Sequence, residues 1–219
     1  MTAPLLLAAL LTLHAPGPRS YPCVEDVREP RPVLEADDAL RTLYQSGRSY
    51  DDFLASADQR VELWHANTAR SEDIDADLVR RARAVGGTWR LLAVAVASCS
   101  DSVSTIPYLA RLAALVDGLD MRIVDSRAGR TVMEAHPTPD GRPATPTVVL
   151  LDSEWDEAGC FIERPHALQS WILENPDGIA PGEMVARKMV WYAEDAGRRT
   201  VEAIVEAMEA AAAGDVVCR

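Results

Sequence analysis

The sequence predicts an α/β fold: a central four-stranded mixed sheet flanked by helices, with helical extensions at both ends. Three observations predict it. Trp89 to Ala97 reads WRLLAVAVA, a nearly unbroken apolar run that suits a strand buried on both faces. Shorter apolar runs at Met121–Val124 and Thr147–Leu151 follow it, separated by helical patterns. Such alternation favours parallel pairing and right-handed crossovers. Finally, Asp152–Gly159 reads as a turn into a fourth strand beginning at Cys160–Ile162, which implies an antiparallel edge.

From the N-terminus, Pro4 to Leu13 reads PLLLAALLTL. A bilayer span needs about 20 apolar residues, so no integral membrane segment is expected. The run has the length of an export-signal core, but no basic residue precedes it, and Leu13-His14-Ala15 is an imperfect cleavage site. Two readings stay open: a cytoplasmic protein whose first helix packs on the domain, or export through residues 1–20. Export would let Cys23 pair with another cysteine. Residues 16–35 are rich in proline and charge and read as a linker.

Ala39, Leu40, Leu43 and Tyr44 mark a short helix ended by Ser46-Gly47. Ser49 is the expected N-cap of a second helix with the stripe Tyr50, Phe53, Leu54, Ala57, Val61 and Trp64. A third helix is expected from about Ile74 to Val85, stopped by Gly86-Gly87. After the first strand, Ile106, Leu109, Ala110, Leu112, Ala113 and Leu115 predict an amphipathic helix. Ala128–Ala135 is a weak helix, and His166–Leu173 another. One long Ala-rich helix is expected over most of 182–213. The chain thus divides into residues 1–34 (apolar segment and linker), 35–175 (a domain with its core at 88–175) and 176–219 (a helical extension).

The chain has 219 residues, of which 48% are apolar and 26% charged, with a formal charge of −12. That composition is globular, and the acidity argues against nucleic acid as a partner. Its four cysteines, Cys23, Cys99, Cys160 and Cys218, are too few and too scattered for a disulfide scaffold, and none has CxxC spacing. His14, His65, His136 and His166 lack ligand spacing, so no metal and no cofactor is expected. Asp51-Asp52 and Glu72-Asp73 read as solvated charges at helix starts. Lys188 is the only lysine, which reads as a codon-usage bias. Met184, Val185, Met189, Val190, Tyr192, Val201, Ile204, Val205 and Met208 can form one stripe, either packed on the domain or forming a homodimer surface.

The chemistry centres on Cys99, just after the first long strand. Pro107 follows within the next helix, and Thr145-Pro146-Thr147 precedes the TVVLL strand. In that order these features resemble the thioredoxin family over about Trp89–Leu173. The resemblance implies that Cys99 is the nucleophile, that Pro107 kinks the active-site helix, and that Thr145-Pro146 is a cis-proline loop facing the cysteine motif. Ser98-Cys99-Ser100-Asp101-Ser102, Ile106-Pro107-Tyr108-Leu109, Gly47–Phe53 and Arg164-Pro165 are further similar to a subgroup of uncharacterised bacterial thioredoxin-like proteins with a WCGDx motif.

A helix N-terminus carries roughly half a positive charge and unpaired N–H groups, which stabilise a thiolate, the species that attacks disulfides. The charge of Asp101 is expected to temper that effect, and the Ser102 hydroxyl to donate a hydrogen bond to the sulfur. Ser102 stands where a dithiol enzyme has its second thiol, so the ordinary dithiol cycle is excluded within this motif. Ser98 replaces the family's tryptophan, and Ala93 stands where many members bury an acid.

The expectation is therefore a monothiol CxxS redox protein, with Cys99 and Ser102 at the reactive centre. Ser100, Asp101, Thr145 and Pro146 would line the substrate groove, and glutathione or a protein thiol or disulfide would be the partner. The alternative is a redox-inactive binding module for a peptide or protein. Cys160 reads as a buried strand residue, with resolution of Cys99 as the competing reading; Cys23 and Cys218 read as incidental free thiols.

Overall fold

The computed structural model describes residues 37–174 and 179–218, which all belong to one compact unit. The apolar segment, the linker and Cys23 lie outside the described residues. The elements are α1 (Asp37–Ser46), α2 (Tyr50–Ala55), α3 (Val61–Arg70), α4 (Ala76–Val85), β1 (Trp89–Val94), α5 (Ser100–Leu115), β2 (Leu119–Val124), α6 (Arg130–Ala135), β3 (Thr147–Leu151), β4 (Glu157–Ile162), α7 (His166–Glu174), α8 (Pro181–Asp195), α9 (Arg198–Ala212) and β5 (Val217–Cys218). No described helix is long and apolar enough to cross a membrane.

The sheet order is β2-β1-β3-β4-β5. β1 and β2 are parallel, as alternation suggests, but β3 runs antiparallel to β1. Val94 at the end of β1 pairs with Val124 at the end of β2 and with Thr147 at the start of β3. β3 therefore starts at the end of the sheet where β2 stops, the same end at which Cys99 follows β1. β4 pairs antiparallel with β3.

The apolar run of β1 is explained by its two faces. Leu91 and Ala93 join Met121, Ile123, Val148, Leu150 and Phe161 against α3, α4, α5 and α9. Leu92 and Val94 join Val124, Val149 and Leu151 against Leu40 and Tyr44 of α1 and Val132 and Met133 of α6. Successive side chains enter opposite cores, so neither face can be polar.

Three features depart from the sequence reading. The stripe begun by Ser49, which does cap α2 by accepting from the Asp52 N–H, is divided between α2 and α3 because Arg60 adopts a left-handed conformation (φ 52°). The expected long C-terminal helix is likewise two helices, broken at Ala196 (φ 48°) and Gly197 (φ 72°). Tyr192, Val201, Ile204, Val205 and Met208 are buried in the chain's own core, whereas Val185 and Val190 are exposed, so the nine residues form no single stripe.

The third departure is a fifth strand. β5 adds parallel to β4 at the sheet edge, and Cys218 lies opposite Cys160 in the register. The two are joined as a disulfide. Cys160 is thus not an apolar filler and Cys218 is not a free thiol. The sequence separation of 58 residues gives a loop-closure contribution of about 4 kcal/mol. Gly159 permits the approach: a Cβ there would lie 2.7 Å from the Val217 carbonyl oxygen.

At Gly197 a Cβ would lie 2.1 Å from Cγ of the buried Tyr108 ring, in a backbone conformation that already disfavours side chains. Gly197→Ala is expected to lower unfolding free energy by about 2–4 kcal/mol in urea titration. A loss below about 1 kcal/mol would mean that the α8–α9 turn does not depend on this contact.

Candidate functional site

The site lies at the end of the sheet where β1, β2 and the segment before β3 meet. β1 ends at Val94, and the following loop delivers Cys99 as the N-cap of α5. Three side chains of the N-terminal helical region hold this loop and helix. Arg60 Nε donates to the Ser98 carbonyl at 2.7 Å, and the Trp64 indole N–H donates to the Ala97 carbonyl at 3.0 Å.

The third contact follows from Pro107. A proline has no N–H, so the carbonyl four residues earlier, that of Val103, loses its helical donor. Asn67 Nδ2 supplies the missing hydrogen bond at 2.8 Å. Asn67 is a buried polar residue in a helix, and the interruption of α5 accounts for it.

Cys99 is half-buried. Its Sγ accepts from the Ser102 backbone N–H at 3.4 Å, and its thiol donates to the Thr145 carbonyl at 3.0 Å. The Thr145–Pro146 peptide is cis. Cys99, Ser102, Thr145 and Pro146 therefore come together, and Ser100 and Thr145 are half-buried beside the sulfur. On loss of the thiol proton, the Ser102 N–H and the helix N-terminus remain as partners for the negative sulfur.

Two expectations about α5 are corrected. The donor to Cys99 is the backbone of Ser102, not its hydroxyl, which is fully buried and has no hydrogen-bond partner among the described residues. Asp101 does not face a substrate groove: it is 4% exposed and points inward. Lys188 Nζ donates to it at 2.6 Å, Tyr192 Oη donates at 2.7 Å, and Arg164 Nε lies at 3.4 Å. The carboxylate that was expected to oppose the thiolate is matched by buried cations.

The network closes on itself. Arg164 also pairs with Glu163, which is buried and also faces Arg142 at 3.4 Å. The Glu163 N–H donates to the Pro146 carbonyl at 2.7 Å. Burial, with Asp101 adding to it, raises the Glu163 pKa, while Arg164, Arg142 and Lys188 oppose the rise. Burial foremost, then the neighbouring Asp101, hold the Tyr192 phenol well above its ordinary pKa, so it stays a hydrogen-bond donor.

Cys160 cannot resolve Cys99. It is disulfide-bonded, and its register partner Val149 lies four residues, about 13 Å, along the chain from Thr145. Sequence reasoning missed Lys188, Tyr192, Glu163, Arg60 and Asn67, and gave Arg164 no role of its own. One signal was visible: the only lysine of an arginine-rich chain sits buried against Asp101.

If Asn67 serves the carbonyl that Pro107 strands, the two positions must be coupled. Asn67→Ala is expected to cost about 1–3 kcal/mol in urea unfolding. The cost should fall by about half or more in a Pro107→Ala background, where the new N–H can take the Val103 carbonyl. Additive effects would contradict the pairing.

A thioredoxin family profile matches residues 47–180. No curated protein is similar enough to match. Among solved structures, an HIV epitope-scaffold is 19% identical with a TM-score of 0.61, covering 77% of this chain and 96% of its own. A protein of unknown function from Pseudomonas aeruginosa is 18% identical with a TM-score of 0.58, covering 76% of this chain and 95% of its own. At such identities the two structures show a shared fold alone. The family match spans more than half of the sequence and includes Cys99, Pro107 and Pro146. The chain belongs to the thioredoxin family, which supports a thioredoxin-like redox role.

Proposed function

We propose that the protein is a monothiol member of its family, forming mixed disulfides through Cys99 with glutathione or a protein thiol. The observation that carries this reading is the setting of the sulfur: half-exposed, at the N-cap of α5, against the Thr145 carbonyl of the cis-proline loop. Cys99 is the free cysteine among the described residues, and the neighbouring Ser102 has no thiol to offer.

The step balances as a thiol–disulfide exchange. The Cys99 thiolate attacks one sulfur of a disulfide, a Cys99–S–S–R bond forms, the original S–S bond breaks, and the second sulfur leaves as a thiolate that takes up a proton. The Ser102 hydroxyl is no nucleophile toward that mixed disulfide, so a thiol from solution must resolve it. Ser100, Thr145 and Pro146 flank the approach to the sulfur, while Asp101 supports the turn from behind.

In a Cys23→Ser background, oxidised glutathione is expected to add one glutathione to the protein, seen in the intact mass, and none once Cys99→Ser is added. Ser102→Cys should restore an internal resolving thiol and raise turnover of a protein disulfide by more than about tenfold. A Cys23→Ser protein that gains no adduct, together with an inactive Ser102→Cys variant of native fold, would overturn the redox reading. That result would favour the fold as a binding module.

A further inference from the structure

We propose that reductive opening of the Cys160–Cys218 disulfide creates a binding site for a zinc-class divalent ion. Its ligands are the two freed thiolates, His136 Nε2 and the Glu157 carboxylate.

Donor atoms of His136, Glu157 and Cys160 all lie within 4.8 Å of one another. The Cys218 sulfur is bonded to that of Cys160 and lies 3.9 Å from Glu157 Oε1. Four donors of two sulfurs, one imidazole and one carboxylate are a tetrahedral zinc set. Around such an ion neighbouring donors stand roughly 3.3–3.8 Å apart, by tetrahedral geometry on ordinary zinc–ligand distances. Separating the two sulfurs to that spacing needs the S–S bond broken. The ligands come from the end of α6, from β4 and from β5, so the fold, not local spacing, assembles them. Their positions at 136, 157, 160 and 218 are why no histidine-based spacing was visible in the sequence.

The imidazole is held in a ligating orientation by its surroundings. His136 is 4% exposed, and both of its ring nitrogens face acceptors. Nδ1 is 2.8 Å from the Val132 carbonyl and Nε2 is 2.9 Å from Glu157 Oε1. A neutral imidazole carries one N–H, and at Nδ1 it fits the Val132 carbonyl, which leaves the Nε2 lone pair as a ligand atom. With Nδ1–H donating to Val132, Nε2 is oriented toward the carboxylate and the sulfurs. Backbone carbonyls commonly orient zinc-bound histidines in this way.

Access is provided by a cleft of about 560 Å³ that Cys218 lines together with Pro137, Ile162 and Ala203 of α9. A dithiol reductant entering there would become a disulfide and leave Cys160 and Cys218 as thiols. Binding the ion then releases one proton from each thiol. Reoxidation by a disulfide reverses the exchange and expels the ion. The sheet edge would hold either the S–S bond or the metal, independently of Cys99.

The test uses the full chain carrying Cys99→Ser and Cys23→Ser, so that the remaining thiols belong to this site. Cobalt(II) is titrated into oxidised and into reduced, reductant-free protein, followed by the sulfur-to-cobalt charge-transfer band, and zinc affinity is read by competition with a chromophoric chelator. The reduced protein is expected to bind one ion per chain with that band, and the oxidised protein none. His136→Gln should weaken zinc binding by more than about tenfold. Should His136→Gln fail to fold, Cys218→Ser gives the same reading by weakening the band and the affinity. Reduced protein that binds no ion, oxidised protein that binds equally well, or variants of unchanged affinity would each overturn the proposal.

Discussion

A carboxylate buried two residues beyond Cys99 has to be neutralised, and the rest of the site is arranged around that requirement. Asp101 sits in the first turn of α5, in the helix-dipole field that also favours negative charge at Cys99. Out of water, its charge would cost several kcal/mol if left alone. Lys188 and Tyr192 of α8 and the guanidinium of Arg164 meet it. Because Arg164 also holds Glu163, whose backbone clamps Pro146, one ionic circuit fixes both the cysteine turn and the cis-proline loop that faces it.

This constraint gives the two ends of the chain a purpose in the site. From the N-terminal side, Arg60, Trp64 and Asn67 fasten the loop before Cys99 and the proline-interrupted turn after it. From the C-terminal side, α8 carries the lysine and tyrosine, and the break at Ala196-Gly197 turns the chain so that α9 packs on the sheet. The disulfide then ties β5 to β4, away from Cys99.

What could be read from residues alone was local or periodic. β1 was legible because burial on both faces leaves an unbroken apolar run, and Ser49 because N-caps are short-range hydrogen bonds. Cys99, Pro107 and Pro146 were legible as a spaced set. The reversed direction of β3 depends on where the 22-residue connection from β2 returns to the sheet, which no local pattern fixes. The helix break at Gly197 depends on the Tyr108 ring, far away in sequence. Asp101 and Lys188 are separated by 87 positions, and no periodicity links them. Asp101 was accordingly read as a charge opposing the thiolate and lining the substrate groove, and Lys188 as a codon-usage bias.

The central proposal is that Cys99 is reactive and that neutralising Asp101 keeps it so. Its most direct test is the second-order rate of Cys99 with a small aromatic disulfide at neutral pH, compared in a Cys23→Ser background between otherwise wild-type protein, Lys188→Met and the Lys188→Met/Asp101→Asn double variant. Removing the lysine alone leaves more of the Asp101 charge uncompensated near the sulfur, and the rate is predicted to fall by about tenfold. Removing both charges should restore most of it. Equal rates in wild type and Lys188→Met, with both proteins folded, would contradict the account.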